Sequence, residues 1–437
     1  MNRRFGFVVI CLLGLTLAAF GVKGLNFVSN LQGKIAGDRY GMTIASIGDI
    51  NGDGYTDLAI GAPGSYQVSD FKGQVSIYLG GNDPTKAAFD LVGDKAGDRF
   101  GTAISACGDI NGDGIDDFAV GASKNDDSGI DAGKVYIYFG GKQFDTVPDI
   151  TLMGERYNDW FGTSLAGGED LNGDNVPDLL VGASYGGKNY SGVVYVFLGG
   201  NNLTTPAVVI EGESSGDSFG ERIAILGDVS GDGVSDFAVS SYYHNAAGQR
   251  NSGKVYFYQG GSIISVKPWQ TVDGKRPQAN FGFALASAGD VNGDGTPDIA
   301  IGAPGDGPNT EGVAYIYAGG PVIRDPIATI YGQNPKDLYG YDICSGSVNG
   351  DKFSDVLIGT PFADIGDYRS GRVEVFQGSD KFDTVNDFHI NGSSADAQCG
   401  TIVSFIPKFY GKKGGLYAVS SPGPLGNGRI SFVHLYK

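Results

Sequence analysis

Residues 100–121 read FGTAISACGDINGDGIDDFAVG, and this stretch decides the fold. It opens with an aromatic–glycine pair, continues as a short apolar strand from Thr102 to Ala106, and passes through an acidic loop from Asp109 to Asp117. A second apolar strand follows, from Asp117 to Gly121. Short apolar runs separated by a turn rich in Gly, Asn and Asp predict two antiparallel strands joined by a tight loop.

The residues that follow extend this hairpin to four strands. Lys134 to Phe139 (KVYIYF) alternates as a half-buried strand does, and Ile150 to Met153 supplies a fourth strand that ends at Gly154. Four antiparallel strands cannot bury both faces of their sheet alone. Radial repetition buries sheet against sheet, which is the architecture of a β-propeller. The high content of Gly, Phe and Tyr, with only 18% charged residues, favours the same all-β class.

The unit repeats seven times with a period of about sixty residues. The pairs that open the units are Tyr40-Gly41, Phe100-Gly101, Phe161-Gly162, Phe219-Gly220, Phe281-Gly282, Tyr339-Gly340 and Cys399-Gly400. A second glycine lies eight residues before each paired glycine, at Gly33, Gly93, Gly154, Gly212, Gly274, Gly332 and Gly392. The sequence therefore predicts a seven-bladed β-propeller of four-stranded antiparallel blades over residues 25–437.

The two ends of the chain indicate how the ring closes. The last unit stops after a third-strand pattern, Arg429 to Leu435, and lacks a fourth strand. Phe27 to Gly33, ahead of the first unit, matches the fourth-strand position. We expect the N-terminal strand to join the last blade; an open solenoid is the alternative, and it would leave unpaired edges at both ends.

Residues 1–24 have the pattern of a signal peptide. Arg3 and Arg4 precede an apolar run from Phe5 to Phe20, and small residues between Gly21 and Gly24 suit cleavage. The sequence predicts a protein that is secreted, extracellular or periplasmic; a retained anchor is the alternative. No later segment has the length and apolarity of a membrane span. The formal net charge of −18 disfavours nucleic acid and anionic membranes as partners.

Five units carry a nine-residue acidic loop between the first and second strands. Oxygen-bearing side chains occupy loop positions 1, 3, 5 and 9, and position 7 offers its backbone carbonyl, a set of hard oxygen ligands that suits Ca²⁺. The predicted ligands of about five ions are Asp49, Asn51, Asp53, Tyr55, Asp57, Asp109, Asn111, Asp113, Ile115, Asp117, Asp170, Asn172, Asp174, Val176, Asp178, Asp228, Ser230, Asp232, Val234, Asp236, Asp290, Asn292, Asp294, Thr296 and Asp298.

Two other interpretations of these loops fit the sequence less well. An EF-hand requires a bidentate Glu at position 12, where the first loop has Ile60 inside a strand. Acidic turns without metal would leave three carboxylates repelling one another in each of five loops. The sixth loop has lost its first Asp and carries Lys352 in the turn, so we expect weak or no binding there. The seventh loop has Lys408, Tyr410, Lys412 and Leu416 at the ligand positions, and no metal is expected.

After each acidic loop come an apolar strand and a small-residue turn, such as Gly61-Ala-Pro63 and Gly302-Ala-Pro304. Together with the aromatic–glycine pairs, this pattern resembles the FG-GAP repeat of the integrin α-subunit N-terminal β-propeller, over the whole chain after residue 24. The resemblance implies that the calcium loops lie on the lower face and that partners bind the upper face. It also departs from the family, because the acidic loops begin in the first unit and no inserted domain separates units two and three. With no leg domains, membrane helix or tail, a free-standing propeller is expected.

The preferred function is extracellular recognition or cell adhesion, with a protein or glycan as partner. The candidate partner-binding residues are Trp160, Tyr242, Tyr243 and His244, in loops that antiparallel connectivity puts opposite the calcium loops. A lectin is one alternative, since loop aromatics stack on sugars. A hydrolase- or lyase-type enzyme is the other, and it is disfavoured: the chain has three His and neither a G-x-S-x-G nor an H-E-x-x-H motif.

Overall fold

The computed structural model describes residues 25–64, 70–200, 202–411, 415–423 and 431–437, within which twenty-eight strands form seven four-stranded sheets. In chain order the strands are β1 (Phe27–Gln32), β2 (Thr43–Ser46), β3 (Leu58–Ala62), β4 (Gln74–Tyr78), β5 (Phe89–Val92), β6 (Phe100–Gly108), β7 (Asp117–Ala122), β8 (Lys134–Tyr138), β9 (Ile150–Met153), β10 (Phe161–Glu169), β11 (Asp178–Ala183), β12 (Val193–Phe197), β13 (Val208–Glu211), β14 (Arg222–Gly227), β15 (Asp236–Ser241), β16 (Lys254–Tyr258), β17 (Gln270–Asp273), β18 (Ala284–Gly289), β19 (Asp298–Ala303), β20 (Val313–Tyr317), β21 (Ala328–Tyr331), β22 (Asp342–Gly346), β23 (Asp355–Thr360), β24 (Arg372–Phe376), β25 (Phe388–Asn391), β26 (Val403–Ile406), β27 (Leu416–Ser421) and β28 (Phe432–Tyr436). Two single-turn 3₁₀ helices, Lys188–Tyr190 and Ala246–Gly248, lie in loops between second and third strands.

Six sheets each take four consecutive strands, from β2–β5 to β22–β25, and we call them blades 1 to 6. Blade 7 has the order β1-β28-β27-β26. In it β1 pairs antiparallel with β28, and Asn30 lies opposite His434. The predicted seven-bladed propeller, closed by the N-terminal strand, is therefore confirmed.

The strand bounds match the sequence prediction to within one residue for β7, which ends at Ala122, and for β8, which ends at Tyr138, and they differ in three further places. The first strand of blade 2 runs from Phe100 to Gly108, beyond the predicted Thr102 to Ala106, because irregularities in register let its pairing with β7 continue at both ends. The N-terminal strand ends at Gln32, one residue short of the prediction. The last strand is Phe432–Tyr436 instead of Arg429 to Leu435, and residues 424–430 lie outside the described ranges.

The hydrophobic core lies between neighbouring blades. The second strand of every blade is buried along its whole length, which explains why these strands have apolar runs instead of alternation. The aromatic residue of the opening pair in blades 1 to 6 fills the space between two blades, and Cys399 takes this place in blade 7; Phe100, for example, meets Tyr136 edge-to-face at 5.2 Å. Each blade therefore completes its core only with its neighbours.

Close backbone approach between blades explains the paired glycines. A Cβ on Gly121 in β7 would lie 2.1 Å from the carbonyl oxygen of Gly162, which opens the next blade. Gly162 itself has φ +81°, a left-handed conformation that favours glycine. The small residue of the second strand and the glycine of the next opening pair therefore fit each other across the blade interface.

Three cysteines, Cys107, Cys344 and Cys399, are unpaired in the described part of the chain. Sulfur therefore contributes no crosslink there. Across the same residues, no helix reaches the length and hydropathy that a membrane span requires. The predicted signal peptide, residues 1–24, lies outside the described residues.

Candidate calcium loops and the opposite face

The five acidic loops join the first and second strands of blades 1 to 5, so all of them lie at the same face of the ring. We call this the lower face. The loops between second and third strands, and those that connect one blade to the next, lie at the opposite, upper face. Antiparallel pairing within every blade fixes this division.

Each acidic loop curls around the carboxylate of its first residue. In the first loop, Asp49 accepts backbone hydrogen bonds from Asp53 (3.0 Å) and Gly54 (2.7 Å). Asp53 in turn accepts one from Tyr55 (3.0 Å). The Asn51 amide oxygen accepts from the Asp53 N–H at 2.9 Å, and its amide nitrogen donates to the Asp53 carboxylate at 3.0 Å.

The same curl forms in the other four loops despite their different sequences. The carboxylates of Asp109, Asp170, Asp228 and Asp290 all accept N–H groups from positions 5 and 6 of their own loops. Position 6 of the third loop is Asn175, at φ 67°, where the other four loops have glycine. The loop geometry is thus set by spacing, and Asn substitutes for Gly without altering it.

The last acidic residue of each loop is buried and joins two loops of its blade. Asp57 is fully buried; it accepts N–H groups from Ile50 (3.0 Å) and from Gly80 (2.7 Å), in the loop between the third and fourth strands. Burial, assisted by repulsion from Asp53 and Asp49, raises the pKa of Asp57 to about 7. The corresponding pKa values are raised by the same causes to about 7 for Asp117 and about 6 for Asp178, Asp236 and Asp298.

The second residue of each loop connects neighbouring blades. Ile50, Ile110, Leu171, Val229 and Val291 are all fully buried. The Ile50 carbonyl accepts a hydrogen bond from Gly141 of blade 2 (2.8 Å), and the other four make the equivalent contact with Gly200, Gly261, Gly320 and Ser379. Sequence reasoning missed this role, although an apolar residue at position 2 of every acidic loop was a visible signal.

The donor chemistry of the loops fits Ca²⁺. Each offers three carboxylates, an amide or hydroxyl oxygen and a backbone carbonyl within nine residues, all of them hard oxygens. Across the described residues, no three carboxylate, imidazole or thiol groups meet closely enough to form a metal site by themselves. Positions 3 and 7 would therefore have to contribute ligands, and a cation would offset the carboxylate repulsion that adds to burial in raising the position 9 pKa values.

The sixth and seventh loops depart from this pattern as their sequences indicate. Ser347 replaces the first Asp and caps only Gly350, at 2.9 Å. The Lys352 ammonium lies 3.6 Å from the Asp380 carboxylate and 4.4 Å from the Phe353 ring centroid. In the seventh loop, Leu416 is buried in β27 and Lys437 lies over the Tyr410 ring at 4.3 Å, while Lys412 is outside the described residues.

The upper face carries exposed aromatic side chains. Tyr157, Tyr185, Tyr190, Tyr243 and Tyr368 lie in its loops, each with between 39% and 59% of its surface exposed. Partly buried aromatic rings continue inward across three blades, from Tyr243 through Tyr242, Phe283 and Tyr341 to Phe362, at centroid distances from 4.4 to 6.5 Å. Exposed rings in contact with a rigid aromatic row are typical interface anchors.

The four candidate partner residues occupy different environments. Trp160 is already engaged: its ring lies 4.0 Å from that of Tyr185 and 3.5 Å from the Lys124 ammonium. Tyr242 is buried, and Tyr243 is 41% exposed. The His244 ring is largely buried, with Nδ1 2.5 Å from the Asp217 carboxylate. Only Tyr243 of the four is widely open to a partner.

Sequence reasoning missed the middle of the aromatic row. Phe283 and Tyr341 each follow the glycine of an opening pair, and their place next to this structural motif gave no sign of a role in binding. Arg222 lies over the Phe283 ring at 5.5 Å and donates to its backbone carbonyl at 3.1 Å. Arg369 lies 5.1 Å from the Phe362 ring and 5.0 Å from that of Tyr368. The upper face therefore combines aromatic rings with cationic side chains.

Comparison with known proteins agrees with the repeat pattern. The family described as "FG-GAP repeat" matches residues 41–78, 100–138, 161–197, 281–317 and 339–376. These segments contain the first three strands of blades 1, 2, 3, 5 and 6.

Curated relatives are integrin α subunits. Integrin alpha-PS2 of Drosophila melanogaster is 30% identical over 250 residues, which are 54% of this chain and 17% of that protein. Integrin alpha-V of Gallus gallus is 32% identical over 253 residues (55% and 22%), and integrin alpha-IIb of Mus musculus is 38% identical over 166 residues (35% and 16%). The matches thus span less than a quarter of each relative's length.

A solved structure shares the fold over almost the whole chain. It is described as "Crystal structure of BBS1N in complex with ARL6DN, soaked with lead". The TM-score is 0.56 at 14% sequence identity, covering 94% of this chain and 96% of that one. At this identity the likeness concerns the fold alone.

Proposed function

Because the chain belongs to the integrin-like family of FG-GAP repeat β-propellers, we propose that it is an extracellular recognition and adhesion module. In this proposal Ca²⁺ stabilises the lower face, and the upper face binds a protein or glycan partner. The observation that carries it is the unequal use of the two faces. Acidic loops of one design occupy the lower face, whereas exposed tyrosines are spread over upper-face loops of different length.

Five loops would hold one Ca²⁺ each through positions 1, 3, 5, 7 and 9. The ion would supply the positive charge that the buried position 9 carboxylates lack. Its effect would extend beyond the loop, because the position 2 carbonyl of each loop accepts a hydrogen bond from the next blade. Fixing the loop therefore fixes the contact between two blades, and this makes the calcium structural.

The partner would bind where rigid rings are already exposed. Tyr243 lies over the buried Tyr242, so little side-chain entropy is lost when it contacts a partner. The protein relatives are integrin α subunits, which supports recognition rather than catalysis. His244 is paired with Asp217 and largely buried, which does not suit a general base reaching substrate.

Binding of the purified protein to arrays of extracellular-matrix proteins and of glycans tests the recognition role. We expect Tyr243→Ala to reduce binding of any hit at least tenfold, as hot-spot tyrosines do. Tyr55→Ala is the matched control, since Tyr55 is similarly exposed (37%) but lies in a lower-face loop. A hit confined to the glycan array would identify a lectin. If Tyr55→Ala weakened binding and Tyr243→Ala did not, the partner would bind the lower face, and the proposal would be wrong.

A further inference from the structure

Blade 2 contains an internal binding site for one of its own lysines. Lys134 begins the third strand, and its ammonium lies 3.2 Å from the carboxylate of Asp94, in the loop that enters the blade, and 3.0 Å from that of Asp127, in the loop that precedes the strand. The same ammonium lies 4.6 Å from the centroid of the Tyr136 ring. The lysine side chain is 9% exposed. A carboxylate and an aromatic ring therefore form a partly dehydrated site for a primary ammonium group.

Blade 4 repeats this arrangement with other residues. The Lys254 ammonium lies 2.9 Å from the Glu213 carboxylate and 4.8 Å from the Tyr256 ring centroid. The acid again comes directly after the glycine that follows the last strand of the preceding blade, as Glu213 follows Gly212. The tyrosine again comes two residues after the lysine. The site is thus a feature of the repeat, and two blades show how a cation occupies it.

Blade 3 keeps the acid and the ring but lacks the lysine. Glu155 follows Gly154 as Asp94 follows Gly93, and Tyr195 corresponds to Tyr136. The position of the lysine is occupied by Val193, which has no charge. Among the described residues, none forms an ion pair with the Glu155 carboxylate.

Two adjoining cavities lie at this position, and both are lined by Glu155 and Tyr195. One of about 270 Å³ is walled by Phe161 and Phe197, and one of about 80 Å³ by Val193. An alkyl chain of four or five carbons with its ammonium fits the combined space. The smaller cavity also contains Asp159 and Glu211 against a single cation, Arg156, so the groove has an excess of negative charge.

We propose that the groove between blades 2 and 3 binds a primary alkylammonium group supplied by a ligand. The ammonium would contact the Glu155 carboxylate and the Tyr195 ring, as Lys134 and Lys254 contact their own acids and rings. The alkyl stem would lie along Phe161 and Phe197. A free diamine and the lysine side chain of a polypeptide share this chemistry. The site lies between blades and is independent of the calcium loops and of Tyr243.

Titration calorimetry at low salt tests the proposal with two amines. Nα-acetyl-lysine methylamide represents a lysine side chain, and cadaverine represents a free diamine. We expect wild type to bind at least one of them, and the Nε-acetylated lysine derivative, which lacks the charge, at least tenfold more weakly. Preference for the lysine derivative would identify a polypeptide source, and equal binding would show that the alkylammonium group suffices; both support the site.

Three variants make the test specific. Val193→Lys restores the lysine that blades 2 and 4 carry and should abolish amine binding by filling the site. Glu155→Gln keeps the shape of the groove and should weaken binding about tenfold. Val313→Lys is the matched control, because blade 5 has Val at the same position but Lys275 in place of the acid. This variant should leave amine binding to the groove of blade 3 unchanged.

Two results would overturn the proposal. One is the absence of binding of either amine to folded wild-type protein. The other is unchanged binding in both Val193→Lys and Glu155→Gln. If Val193→Lys did not fold, Glu155→Gln alone would decide, since its substitution leaves the size of the side chain unaltered.

Discussion

Removing calcium is the perturbation to which this propeller should respond most strongly. Each of five loops would lose the ion that offsets three neighbouring carboxylates, one of them buried in every case. Each loop also carries a hydrogen bond to the next blade, through the carbonyl of its second residue. Loss of the ions should therefore loosen five of the junctions between blades, and the whole ring should become less stable.

The size of the effect follows from linkage. Extracellular calcium sites have Kd values of about 10⁻⁴ to 10⁻³ M, so 10 mM Ca²⁺ stabilises each site by about 1.4 to 2.7 kcal/mol. Five independent sites would contribute about 7 to 14 kcal/mol. A propeller of about 410 residues unfolds with an entropy of about 0.9 kcal/mol per kelvin. The thermal midpoint should therefore fall by about 8 to 15 °C in excess EDTA.

Differential scanning calorimetry of the purified protein, with metal analysis after dialysis, measures this directly. We expect about five Ca²⁺ per chain, and a smaller shift with Mg²⁺, which resists dehydration. Asp113→Asn, in the second loop, should remove one ion and lower the midpoint by about 2 to 3 °C. Asp351→Asn, in the sixth loop, is the control and should change neither quantity. Equal midpoints with and without calcium, and no bound metal, would refute the calcium assignment.

Three further predictions concern the ring itself. Gly121→Ala should destabilise the protein by about 3 kcal/mol in denaturant unfolding, because the new Cβ meets the Gly162 carbonyl, whereas Gly141→Ala, with open space around it, should be neutral. Burial raises the pKa of Asp342 to about 7, so the protonated carboxyl favours folding at acidic pH, and this contribution is lost as the pH rises through 7. The thermal midpoint of Asp342→Asn should therefore rise relative to that of wild type between pH 5 and pH 8. Deleting residues 25–33 should leave the β28 edge unpaired, lower the midpoint and produce aggregates in size-exclusion chromatography.

The sequence predicts the ring well because spacing alone encodes it. The glycine pairs recur at nearly fixed intervals, and the glycine of each opening pair lies against the preceding blade with a positive φ, so a larger residue would be strained there. Ring closure was predictable for the same reason, because Phe27 to Gly33 supplies the fourth strand that the last unit lacks. The bounds of β6 were less accessible, since a bulged ladder continues past the apolar residues that mark a strand.

The upper face was harder to predict because it depends on contacts between distant residues. Trp160 is a large aromatic residue in a loop and was therefore expected to be an exposed anchor, but Lys124 and Tyr185 cover its ring. Tyr242 and Tyr243 are neighbours in sequence with opposite exposure, and nothing in their local pattern separates them. Loop side chains follow no period, so only the fold reveals which of them are open.

Acidic loops lie at five of the junctions between blades. Blades 1 to 5 are each linked to the next blade through an acidic loop, by the hydrogen bond that its second residue accepts. Blade 7 makes the same contact with blade 1, because the Phe409 carbonyl accepts a hydrogen bond from the Gly81 N–H at 2.7 Å. It also receives β1 from the start of the chain, and the β1–β28 ladder ties the two ends of the propeller together. The seventh loop has Lys408 and Tyr410 at the ligand positions, so this junction keeps its hydrogen bond without an acidic loop. We therefore interpret calcium binding by the acidic loops as reinforcement of junctions whose hydrogen bond does not itself require an acidic loop.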